Sequence, residues 1–332
     1  MVRLVTVGRD DLTIFQRRAG KGYVYRDGAG ERISDAAFIA RAKALGIPPA
    51  WQDVRLAANS RAHIPCCGTD AAGRVQYIYH ADWEARRAKR KQGQLALLTA
   101  ALPKLRRRVS QDLDAEAGSK TLAIAIGVAL IDKTAMRVGR ERYLQSHGTR
   151  GAGTLYARDI TVDGSEVCMK FPAKSGKVAQ YCVTEARLAE AITRIKTIPG
   201  KRLLMYRDDE GKARALNTEA INAYLRDVAG TRVTAKDFRT LHASALAGEA
   251  LAKLAPGASE AARRRQMTAV TREVAAFLRN TPTICRKSYI APCLFKLFDA
   301  GKLGGLWASA EITTGGLKDR ERRLSAVLTA SV

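Results

Sequence analysis

The pattern of apolar and polar positions changes character near residue 90. Before it, the apolar runs are short and strand-like. Gly22 to Tyr25 reads as a strand, closed by a turn at Arg26 to Gly28. A short helix begins at Ser34 and runs through Ala44, with Asp35 in its first turn and Gly46 as its C-cap. Gly68 to Gly73 is a turn between two strands. The second strand, Arg74 to His80, alternates: Gln76 shares a face with Arg74, Ile78 and His80, and Tyr77 shares the other with Tyr79. The charge run from Arg86 to Lys91 reads as a solvated face and marks the domain boundary.

From Leu95 onward the period is mainly helical. Pro103 suits a first helical turn. Lys120 to Gly139 predicts a helix with an almost wholly apolar centre, hence a buried one, with Arg137 at its exit. Strands at Val167 to Phe171 and Val178 to Val183 flank Lys174 and Lys177, a β-hairpin with lysines at its tip. Helical patterns follow at Glu185–Lys196 and, after the Asn217 and Thr218 cap, to Asp227. The next helix opens at Thr234, and on it Lys236 and Arg239, three apart, share a face. Ser259 to Arg279 is a further amphipathic helix, and Pro282 places Tyr289 where the chain changes direction. A short helix covers Pro292 to Ala300, and the tail from Lys318 is polar. The fold class is therefore α+β, with an N-terminal β-sheet domain over 1–90 and a mainly helical domain over 91–332 that carries the hairpin.

Charge narrows the function. The chain has 57 Lys and Arg against 32 Asp and Glu, a formal net charge of +25. Such an excess makes nucleic acid the first partner to consider and an anionic membrane the second. The longest uncharged apolar stretch, Leu122 to Ile131, is too short to span a bilayer. The six cysteines form no CxxC pair and have no histidine at zinc spacing, so they read as free thiols in a reducing cytoplasm. The glycine-rich loop from His147 to Gly153 matches no phosphate-binding pattern. Tyr289 is flanked by Arg286 and Lys287, two cations that favour a phenolate. A phenol of reference pKa about 10 needs such help to act as a nucleophile. Arg137 is suited to present a bidentate donor to phosphate.

Taken in order, these segments resemble the small type IB DNA topoisomerases of bacteria and poxviruses. Arg286-Lys287-Ser288-Tyr289 resembles that family's nucleophile motif, and Met136 to Tyr143 its first arginine box. Lys174 is similar to the family's hairpin lysine, and Lys236-Asp237-Phe238-Arg239-Thr240 to the box of the second arginine. Asp70 to Tyr79 is similar to its DNA-contacting strand. Many members carry histidine nine residues before the nucleophile, where this chain has Asn280. An amide donates a hydrogen bond to a phosphate oxygen but carries no charge.

The resemblance implies a two-lobed clamp on double-stranded DNA and relaxation of supercoils through a 3′-phosphotyrosyl intermediate on Tyr289, without ATP. Arg137, Arg239 and Asn280 would meet the charge of the transition state. Lys174 would act as general acid with help from Lys236. DNA contacts are expected from Arg74, Gln76, Tyr77, Tyr79, Arg140, Arg142 and Tyr143. No cofactor or metal is implied, because no carboxylate cluster accompanies these boxes. A cytoplasmic, nucleoid-associated monomer with no membrane partner is expected. Two alternatives stay open: a tyrosine recombinase, whose R-x-x-H motif Arg239 and His242 resemble, and a non-catalytic basic DNA-binding protein.

Overall fold

A strand that is apolar on both faces needs cover on both, and the first part of the chain supplies it. The computed structural model describes residues 3–20, 22–310 and 318–330. Its contacts divide the chain into Met1–Arg90 and Lys91–Val332. In the first unit, β1 (Ile14–Ala19), β2 (Gly22–Arg26), β3 (Gln52–Leu56), β4 (Cys66–Thr69) and β5 (Val75–Ile78) form an antiparallel sheet in the order β2-β1-β3-β4-β5. Helix α1 (Ala36–Ala44) is capped by Asp35, whose carboxylate accepts from the Ala37 N–H.

Successive residues of a strand face opposite ways, and Cys66 and Cys67 illustrate it. Cys66 packs with Ile14, Tyr25, Phe38 and Leu56, whereas Cys67 packs with Leu12, Ala57 and Ile64. Burial pushes the Cys66 thiol up to about 12, so it behaves as a small apolar side chain. On β5 and just beyond it, Ile78 leans on the first cluster, Val75 and Tyr79 lean on the second, and Tyr77 stays 38% exposed.

The second unit is mainly helical. Helix α2 (Ala81–Asp112) runs unbroken through the charge run and past Pro103. That differs from the expected boundary between strand-like and helical pattern at the charge run, and from a helix with Pro103 in its first turn. Proline forfeits one backbone hydrogen bond. Complete burial of Leu98 and Leu102, beside nearly buried Leu95 and Leu105, offsets the loss. The remaining helices are α3 (Lys120–Thr134), α4 (Glu141–His147), α5 (Ala186–Ile195), α6 (Thr218–Ala229), α7 (Ala235–Ala252), α8 (Glu260–Phe277), α9 (Pro282–Ser288), α10 (Pro292–Asp299), α11 (Leu303–Ala308) and α12 (Asp319–Ala330). Strands β6 (Ile160–Asp163), β7 (Glu166–Pro172) and β8 (Val178–Thr184) form a sheet in that order, and β9 (Met205–Arg207) pairs with β10 (Ala213–Ala215). The hairpin is present as expected; β6, β9 and β10 are additions. The fold is α+β, and among the described residues no helix is long and apolar enough to cross a membrane.

Three further expectations are corrected. The buried helix α3 stops at Thr134, because Ala135 takes a left-handed conformation with φ 54°, so Arg137 lies in an irregular segment rather than at a helix exit. The polar tail is the helix α12, which buries Leu324, Val327 and Leu328. It is tied down by Arg106, whose guanidinium donates to Asp132 at 2.8 Å and to Glu321 at 2.7 Å. Not all cysteines are free: Cys168 and Cys182, opposite each other on β7 and β8, form a disulfide. Cysteines that face each other across antiparallel strands are close enough to bond, and spacing in the sequence gives no sign of it.

Candidate active site

Tyr289 is held by its backbone. Thr281 caps α9, Pro282 occupies the first turn, and the Tyr289 N–H donates to the Cys285 carbonyl at 2.9 Å, so the tyrosine ends the helix. The Ser244 hydroxyl, from α7, donates to the Tyr289 carbonyl at 3.2 Å and accepts from the Ala291 N–H at 3.0 Å. The Lys91 ammonium donates to the Ile290 carbonyl at 3.2 Å. Three consecutive residues are thereby fixed by groups far away in the chain.

The cation facing the phenol ring differs from the expected one. The Arg239 guanidinium lies 5.0 Å from the Tyr289 ring centroid, while that of Arg286 lies over Phe295 at 4.3 Å. Arg239 is 3% exposed and donates to the carbonyls of Ala135 and Leu278. Its place follows from α7, whose first turn is set by the Thr234 and Asp237 capping box. Lys236, on the first turn of the same helix, is exposed.

Arg137 reaches the same place by another route. Its guanidinium donates to Asn280 Oδ1 at 2.6 Å. Burial, then the like charge of Arg239, lowers Arg137 below the ordinary arginine value, and Tyr289 acts in the opposite sense. The irregular segment that carries Arg137 is clamped by the glycine-rich loop. Ala152 N–H donates to the Arg137 carbonyl at 2.9 Å and Gly153 N–H to the Val138 carbonyl at 2.7 Å. A side chain at Gly151 would place its Cβ 2.3 Å from the Arg137 carbonyl oxygen. The loop that matched no phosphate cradle is thus the support of an arginine, a role that only close backbone approach reveals.

Two buried donors at this site have no partner among the described residues: Asn280 Nδ2 and Arg239 Nε. A buried unpaired N–H costs about 1–3 kcal/mol, which a bound acceptor would recover. Arg239 over the phenol ring, and Arg137 close enough to interact with both while held to Asn280, suit a reacting group that gathers negative charge.

The other expected residues are distributed as follows. Lys174 stands exposed in the turn Lys174–Gly176 at the hairpin tip, which the Ala173 N–H closes by donating to the Lys177 carbonyl at 2.7 Å. Arg142 lies over the ring of Tyr143 at 4.6 Å and donates to its hydroxyl at 2.8 Å, near Arg140 at the start of α4. In the first unit, Arg74 and Gln76 are both tied to Asp70, which their hydrogen bonds and those of the turn hold down at about 2. Tyr77 and Tyr79 sit 6.2 Å apart, with Arg87 over the Tyr79 ring. The histidine of the recombinase-like motif, His242, lies with Nε2 2.6 Å from the Asp132 carbonyl oxygen. Sequence reasoning missed Ser244, Gly151 and Lys91. Burial, then the like charge of Lys236, pushes the Lys91 ammonium down to about 8, which corrects its reading as part of a solvated run.

Comparison with known proteins identifies the family of the chain. The family model for the eukaryotic DNA topoisomerase I catalytic core matches residues 80–293, and that for the bacterial DNA topoisomerase IB N-terminal domain matches residues 22–70. The DNA topoisomerase 1B of Acanthamoeba polyphaga mimivirus is 26% identical over 293 residues, covering 86% of this chain and 87% of the viral protein. With the catalytic-core model spanning more than half of it and the bacterial N-terminal model ahead of that, the chain belongs to the type IB DNA topoisomerases, enzymes of the isomerase class, in their small bacterial and viral form.

Proposed function

We propose that this enzyme relaxes supercoiled duplex DNA by cutting one strand, letting it rotate and resealing it, with neither ATP nor a required metal. The observation that carries the reading is the Arg239 guanidinium over the Tyr289 ring, with Arg137 interacting with both and held to Asn280, and two buried donors there without a partner among the described residues. In the cleavage step the Tyr289 phenol gives up its proton to solvent water, its oxygen bonds to a backbone phosphorus, and the bond from phosphorus to the 5′-oxygen breaks. The leaving oxygen takes its proton from Lys174, assisted by Lys236. Arg137, Arg239 and the Asn280 amide stabilise the charge on the nonbridging oxygens. The phosphoester keeps the bond energy, so resealing is the same step reversed.

The unit 1–90 would bind duplex through Arg74, Gln76, Tyr77 and Tyr79, and the unit 91–332 would add Arg140, Arg142 and Tyr143 to the catalytic groups. We assign the working form as a monomer on nucleoid DNA. The localisation rests on the DNA substrate, since the Cys168–Cys182 disulfide removes free thiols as a ground for a reducing cytoplasm. The test is a supercoiled plasmid incubated with the protein and EDTA, without ATP. Relaxation of both positive and negative supercoils is the expected result. An unchanged linking number, or relaxation only of plasmids carrying one target site, would refute the proposal, the latter in favour of a recombinase.

A further inference from the structure

The hairpin bearing Lys174 and the segment bearing Asn280 belong to different elements, so something must set one against the other. Arg279 is placed to do it. Its backbone has φ 52°, a left-handed conformation that non-glycine residues seldom adopt. Its guanidinium donates to the Val178 carbonyl at 3.2 Å and to the Gln180 carbonyl, and lies 4.8 Å from the ring centroid of Tyr181. Strand β8 is the edge of its sheet, in the order β6-β7-β8. Carbonyls of residues two apart point the same way, so Val178 and Gln180 offer two acceptors on the edge away from β7. A planar fork of N–H donors suits such a pair better than a single ammonium does. The next residue along is Asn280, which accepts from Arg137.

We propose that Arg279 is a positioning residue that registers the Lys174 hairpin against the Asn280–Arg137 pair. One residue then links the proton donor to the anion-binding groups. Its side chain grips the base of the tip that carries Lys174, and its strained backbone turns α8 into the Asn280 segment. The inference rests on the reading of Lys174 as general acid, and the experiment separates the two.

Single-turnover cleavage is measured on a normal strand and on a strand whose 5′-bridging oxygen at the cleavage site is sulfur, a leaving group that needs no proton. Two variants remove the grip. Arg279→Gly abolishes the guanidinium and relieves the left-handed backbone, which favours folding. Arg279→Lys keeps a cation but puts one ammonium nitrogen in place of the planar fork, a poorer match to two carbonyls two residues apart. Lys174→Ala runs in parallel, with a general acid worth about 10²–10⁴ in rate. Both Arg279 variants should slow cleavage of the normal strand roughly tenfold or more and come within about threefold of wild type on the sulfur strand, as a partly misplaced acid requires. Rescue of Lys174→Ala without rescue of the Arg279 variants would overturn the inference alone. Wild-type rates for both Arg279 variants on the normal strand would also overturn it. Failure to rescue Lys174→Ala would remove Lys174 as the acid and this inference with it.

Discussion

Individual residues at this site carry distinct burdens. Tyr289→Phe should abolish both relaxation and the covalent protein–DNA adduct while DNA binding persists; an adduct on a denaturing gel would contradict its role. Arg137→Ala and Arg239→Ala should each slow cleavage more than Asn280→Ala does, because charged donors to a developing anion contribute more than neutral ones. Arg239→Ala should in addition lower Tm, since it strips donors from two buried carbonyls, those of Ala135 and Leu278. Single-turnover rates ranking Asn280 first would reverse this order. Lys91 gives a pH signature. Its value is pushed down to about 8, below that of an unfolded lysine, so the charged side chain destabilises the fold. The cost is full below about pH 8 and fades as pH climbs toward the unfolded value of about 10.4. Lys91→Met also loses the bond to the Ile290 carbonyl at every pH, so the Tm of Lys91→Met minus that of wild type should be highest near pH 7 and fall by pH 10; a difference that rises with pH would rule this out.

At the scale of elements, two supports set the geometry. The first is the glycine-rich loop under the Arg137 segment. Gly151→Ala would drive a Cβ into the Arg137 carbonyl, 2.3 Å away, and the segment must yield. Misplacing a catalytic group by about 1 Å costs roughly 10²-fold in rate, so cleavage should fall on that order with DNA affinity little changed. Wild-type cleavage by Gly151→Ala would show that the loop does not position Arg137. The second support is the disulfide across β7 and β8, which closes a loop between residues 14 apart in sequence. Chain-entropy reasoning assigns such a crosslink about 3 kcal/mol, so reducing it, or replacing both cysteines by serine, should lower Tm by several degrees. An unaltered Tm under reducing conditions would remove it from the account of stability.

For the whole molecule, the net charge of +25 governs encounter with DNA rather than chemistry. Each phosphate neutralised by a lysine or arginine releases counterions and adds about −0.9 to the slope of log K against log salt. Several such contacts should give a steep negative slope in a binding titration, shared by wild type and Tyr289→Phe. A slope near zero would mean that the basic surface does not meet the duplex.

Much of this was legible in the linear chain, for a physical reason: period, caps and turns are local. The apolar centre of α3, the lysine hairpin and the helix that opens at Thr234 all follow from neighbours a few residues apart, whereas the short helix α9 ahead of Tyr289 went unread. The order of the boxes was enough to point to the family. The sequence alone also determined which residue types stand at each box, including asparagine where many relatives carry histidine. Tertiary structure decided which of them meet. Arg137 and Asn280 are 143 residues apart, and Lys91 and Ile290 are 199 apart, so no local pattern could pair them. It also decided that Arg239 rather than Arg286 faces the tyrosine, because the helix that buries Arg239 brings its guanidinium over the ring while Arg286 turns to Phe295. The disulfide and the helical tail went unread for the same reason. Each depends on a partner supplied by another element, and side-chain chemistry along the chain does not say which element will arrive.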